Sequence, residues 1–90
     1  MMRIQRAIIV RIENLCQEQG LTVNQLAGKS GLPASTVKNI IYGGSRNTGV
    51  KTIAMMCKGL HISLTDFFNH ELFWSLDNGV NATGSSQKRK

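Results

Sequence analysis

The stretch TVNQLAGKSGLPASTVKNIIYG, from Thr22 to Gly43, leaves its chain few conformational choices. Thr22 is a good helix N-cap, and Gln25 stands where it can complete a capping box. Leu21 before the cap and Leu26 after it can form the hydrophobic staple that sets the chain's entry angle. Gly31 stops this helix by supplying a residue that takes positive φ without steric cost. A second helix then opens at Pro33, where a missing N–H does no harm, and ends before Gly43-Gly44. Gly28, inside the first of these helices, costs about 1 kcal/mol relative to alanine and has no evident purpose at this level.

The apolar positions lock the two helices together. Ala27 falls where a large side chain would hold the second helix away. Leu26, Leu32, Val37 and Ile40 are spaced to share one core. Helix, tight glycine turn and steeply crossing helix make a helix-turn-helix over about residues 22–43.

The flanking sequence extends the all-α pattern to five helices and shows no strand alternation. A first helix from about Ile4 to Gln19 repeats apolar residues at Ile8, Ile9, Ile12, Leu15 and Cys16 and stops at Gly20. A fourth, about Val50 to Gly59, is expected to turn Val50, Ile53, Ala54, Cys57 and Leu60 inward. A fifth repeats the earlier start chemistry, with Ser63 as cap, Asp66 at the box position and Ile62 stapling to Phe67. One domain spans residues 1–77. Residues 78–90, ending Lys88-Arg89-Lys90, cannot build a core and read as a disordered basic tail.

Composition narrows the function. Ninety residues make one domain, with 41% hydrophobic content suited to a soluble, cytoplasmic globule. The apolar runs are too short for a membrane span or secretory signal. Cys16 and Cys57 sit at helical spacing among apolar residues and read as buried, reduced thiols rather than a disulfide or metal site. His61 and His70 have no partner at ligand spacing. No nucleophile, paired-carboxylate set or phosphate loop can be assembled, so no catalytic residue, metal, cofactor or small-molecule ligand is expected. An enzyme is the least favoured class.

The net charge of +6 is unevenly placed. No acidic residue occurs between Glu18 and Asp66, whereas Lys29, Lys38, Arg46, Lys51 and Lys58 are basic. A segment of one sign attracts polyanions. On the second helix of the pair, Ala34, Ser35, Lys38, Asn39 and Tyr42 share the outward face. Asn can pair with adenine, Lys with guanine, and Ala can touch a thymine methyl.

The sequence LTVNQLAGKSGLPASTVKNIIYGGSRN, with VKTIAMMCKGLHISLTDFF after it, resembles the Cro/C1-type helix-turn-helix family, the lambda-repressor-like (XRE) regulators. The resemblance spans roughly Ile8 to Phe68. It implies a compact five-helix lambda-repressor-like domain that binds double-stranded operator DNA, usually as a dimer, with residues 33–43 in the major groove. It further implies that Ala34, Ser35 and Asn39, joined by Lys38 on the same face, contact bases, and that Thr36, Ser45, Arg46 and Asn47 contact phosphates. Val23 stands where the family commonly has a phosphate-holding Gln, and Thr48 where it commonly has Pro, so a looser loop is expected there. Phe68, Leu72, Phe73, Trp74 and Leu76 exceed what one small core easily absorbs, so they either pack back on the first helix or, the favoured reading, form a homodimer interface. The expected role is a sequence-specific transcriptional regulator, repressing by occupying its operator. The alternatives are the antitoxin of a toxin–antitoxin pair, holding a protein partner through its C-terminal segment, and an interaction module that has lost DNA binding.

Overall fold

The structure, a computed structural model, describes residues 3–43 and 47–74. Five α-helices follow in order: α1 (Ile4–Gln19), α2 (Val23–Ser30), α3 (Ala34–Ile41), α4 (Val50–Gly59) and α5 (Leu64–Phe68). A 3-10 turn, Glu71–Phe73, comes after them. No strand occurs among the described residues, in keeping with the all-α reading. The tail expected at 78–90 lies outside the described residues.

Helix ends follow the chemistry of the sequence with two departures. Thr22 Oγ1 accepts the Gln25 N–H at 3.1 Å and Gln25 Oε1 accepts the Thr22 N–H at 2.9 Å, so both halves of the capping box form. Gly20 and Gly31 take φ of 68° and 71°, the left-handed conformation that closes α1 and α2. Pro33, however, is the N-cap of α3 rather than its first residue, because its ψ of 141° is extended. At α5, Ser63 Oγ accepts the Asp66 N–H at 3.0 Å, but Asp66 does not return the bond, leaving half a box.

Ile8, Ile12 and Leu15 of α1 meet Leu26 of α2, Val37 and Ile40 of α3, Ile53 and Met56 of α4, then Leu60 and Phe67, in one core. The α4 face differs from expectation. Val50 is 66% exposed and Ala54 half-buried, whereas Met56 is fully buried. Ile53, Met56, Cys57 and Leu60 lie at i, i+3, i+4 and i+7, the true core stripe, and Val50 sits one turn beyond its end. Leu32 is partly buried against the core rather than enclosed by it.

Helix α2 packs chiefly on α4 and α3. A Cβ on Gly59 would stand 2.5 Å from Ser30 Oγ and 3.0 Å from Ser30 N, so the missing side chain is what lets the two helix ends touch. Three long-range side-chain clamps complete the frame. Arg11 Nε donates to Phe67 O at 2.8 Å and Nη2 to Asp66 O at 3.0 Å. Gln19 Nε2 donates to Leu60 O at 2.7 Å. Gln5 Nε2 donates to Thr48 Oγ1 at 2.8 Å, and Thr48 N–H donates to Gln5 Oε1 at 3.0 Å.

Candidate nucleic-acid interface

Helix α3 divides cleanly by burial. Val37, Ile40 and Ile41 anchor it in the core, which turns Ser35, Lys38, Asn39 and Tyr42 into solvent. Tyr42 is 70% exposed. Ala34, expected on the same face, is half-buried and packs partly on the core. Thr36 is also half-buried.

The outward side of α3 borders an open concavity of about 550 Å³. Ser35, Thr36 and Asn39 line one wall, and Asn47, Thr48, Gly49 and Thr52 line the other. The connection before α4 and its first turn thus share a surface with α3. Sequence reasoning misses Thr52. Its one available signal is a hydroxyl in the first turn of a helix that has no acid there.

Thr48 is buried, and the paired bonds from Gln5 hold it, contrary to the looser geometry expected at this position. A proline would have no N–H to offer Gln5; threonine supplies both an N–H and a hydroxyl. Ser45 and Arg46, expected to meet phosphates, lie outside the described residues; Asn47 is exposed on the concavity wall.

Asn39 leans towards the end of its own helix. A Cβ placed on Gly43 would collide with Asn39 Oδ1 and stand 3.0 Å from the Asn39 Cα and O. Gly43 therefore leaves room for the amide in the position it takes. Electrostatically the surface is one-signed: α1, α2, α3 and α4 all lack an acidic residue in the first turn. No carboxylate on these first turns offsets the positive ends of the helix dipoles.

The C-terminal aromatics are only partly free. Phe67 is fully buried, and the Phe68 and Phe73 rings lie 5.0 and 6.0 Å from it by centroid and 5.0 Å from each other. Phe68, Leu72 and Phe73 are half-buried, with Phe68 and Phe73 packed on the core. Trp74 is left exposed, and Leu76 lies outside the described residues. Beside Phe68, Val50 and Leu64 line a shallow, largely apolar groove.

Cys16 and Cys57 are buried free thiols. Burial pushes both above their ordinary range, with Glu13 adding to the rise at Cys16 and Arg11 partly opposing it at Cys57. Such thiols are poor nucleophiles. Among the described residues no group of three His, Cys, Asp or Glu could hold a metal, and no helix is long and apolar enough to cross a membrane.

A glycine-turned helix pair inside a five-helix bundle, with an uncharged-to-basic polar face turned outward, defines a DNA-binding helix-turn-helix domain. The chain belongs to the helix-turn-helix family of Cro/C1 (XRE) transcription regulators, whose sequence profile matches residues 4–67. It is similar to the solved prophage Lp1 protein 11, with 30% identity and a TM-score of 0.72 over 84% of this chain and all of that one. It is similar as well to the restriction-modification controller protein C.Esp1396I, with 30% identity and a TM-score of 0.66 over 77% of this chain and 85% of that one. A point mutant of that controller, solved bound to its highest-affinity operator site, matches with 29% identity and a TM-score of 0.67 over 76% of this chain and 88% of that one. No individual curated protein gives a significant sequence match.

Proposed function

We propose that this chain is a sequence-specific repressor that occupies a double-stranded operator with α3 in the major groove. The observation carrying this reading is the exposed, acid-free face of Ser35, Lys38 and Asn39, of which Ser35 and Asn39 open on a polar concavity shared with Asn47 and Thr52. In this reading Asn39, Ser35 and Lys38 contact base edges, with a smaller apolar contribution from Ala34. Thr36, Ser45, Arg46 and Asn47 hold phosphates and fix register. The similarity to a controller protein solved on its operator supports the same use of the surface. Cytoplasmic action accords with such a role.

Two copies act together, because paired half-sites one turn of DNA apart need two recognition helices. The exposed Trp74 and the apolar groove beside Phe68 support a two-fold contact through this C-terminal segment, to which this reading also assigns Leu72, Phe73 and Leu76. A DNA-binding antitoxin would use the same segment for a different protein, and co-purification with such a partner would favour that reading.

Selection from a random duplex library tests the proposal. Enriched fragments should carry two symmetric half-sites about 10–10.5 base pairs apart, centre to centre. A pool that stays random after repeated rounds at low salt would sink it. Placing the selected site across a reporter promoter should lower expression when the protein is present; a rise would make the chain an activator.

A further inference from the structure

Helix α1 carries its charges in the order opposite to the one its dipole favours. Arg3 is the N-cap and Arg6 lies in the first turn, whereas Glu13 and Glu18 come later; no acid occupies the first turn and no base the last. Positive groups at a helix N-terminus and negative groups towards its C-terminus both destabilise it. Arg3 and Arg6 are exposed, and neither side chain bonds another described residue. A cost borne on both ends of one helix calls for a compensating use.

The position of this turn supplies one. Gln5, between the two arginines in sequence, makes the paired bonds to Thr48. Thr48 and its neighbours Asn47 and Gly49 line the concavity beside α3. The clamp therefore fixes the basic turn of α1 at the margin of the candidate interface, while Glu13 and Glu18 lie farther along the helix. We infer that Arg3 and Arg6 form a second contact surface for the DNA backbone, taking phosphates that flank the segment read by α3. This rests on the reading of α3 as a DNA-binding helix and extends it to a helix outside the helix-turn-helix. The partner is a polyanion because two exposed cations, with no acid in the turn to offset them, outweigh the single part-exposed Ile4 between them.

The test compares the wild-type chain with an Arg3→Gln/Arg6→Gln variant and an Arg3→Lys/Arg6→Lys variant, binding the selected duplex over a range of salt. Every phosphate that goes without its cation lowers the slope of log affinity against log salt by about 0.9, so the Gln pair should forfeit about 1.8. The Lys pair, which keeps the charge, should retain most of the slope. The free Gln variant should also melt about 2 °C or more above wild type, since its helix no longer opposes its dipole. An unchanged slope in the Gln variant, with wild-type DNA binding intact, would overturn the inference alone. Failure of the wild type to bind duplex DNA would overturn both it and the reading beneath it.

Discussion

Gln5 and Thr48 exchange two hydrogen bonds across the fold, with the amide Nε2 donating to the hydroxyl and the backbone N–H donating to Oε1. The pair is the physical tie between the first turn of α1 and the wall of the concavity. Because Thr48 is buried, truncating its partner strands a backbone donor and a hydroxyl. Gln5→Ala is expected to lower the unfolding free energy by about 1–3 kcal/mol in a urea titration. A change within about 0.5 kcal/mol, the range of an ordinary surface substitution, would mean that water takes over both groups.

Arg11 is nearly enclosed, with its guanidinium on two carbonyls of α5 and 5.9 Å from the Phe67 ring centroid. Its planar fork fits two acceptors at once, which a lysine ammonium on a flexible stem does not. Arg11→Lys should therefore cost about 1–3 kcal/mol, and Arg11→Ala more, read from chemical denaturation. Equal stability for wild type and Arg11→Lys would show that one contact suffices.

Two helical glycines should respond in opposite directions to alanine. Nothing lies within 4 Å of a Cβ on Gly28, and its φ is not positive. Gly28→Ala should raise stability by about 1 kcal/mol, a gain of roughly 4–8 °C in melting midpoint. Gly59→Ala forces a methyl into the Ser30 backbone and should cost about 1–3 kcal/mol. Matching responses at the two sites would contradict the packing of α2 on α4.

The buried thiols set a pH dependence. Burial raises both above an ordinary value of 9.0, so the folded state holds its protons more tightly than the unfolded state. That contribution is fully present below the unfolded value and is lost as pH rises through the higher folded values. Stability should therefore fall over the alkaline range above about pH 9, and less steeply in Cys57→Ala. A flat profile across this interval would contradict the effect. At neutral pH a thiol reagent should label both cysteines much faster in denaturant than in buffer.

Asn39 provides the specificity test. Asn39→Ala should cost about 1–3 kcal/mol at the favoured operator and relax preference at one or two base pairs. Gly43→Ala, whose Cβ would displace the Asn39 amide, should relax the same positions with the salt slope unaltered. An unchanged sequence profile in Asn39→Ala would remove it from the readers. Arg46→Ala should instead weaken binding to every sequence and lower the salt slope by about one.

Local chemistry established most of the helix ends, though it set the start of α3 one residue early, at Pro33. The Thr22–Gln25 box and the stops at Gly20 and Gly31 depend on neighbours a few residues away, so they were legible directly. The outward set of Ser35, Lys38 and Asn39 was legible too, because helical spacing determines which residues share a face. Tertiary packing decided what spacing could not. It buried Met56 and exposed Val50, since α4 begins a turn before it reaches the core. It buried Arg11, a residue whose charge marks it as surface in sequence, because α5 brings two carbonyls within reach. Likewise it tied Thr48 to Gln5 and drew Phe68 and Phe73 back onto Phe67. Each of these rests on groups far apart in the chain, and a period or a cap carries no information about which distant group will arrive.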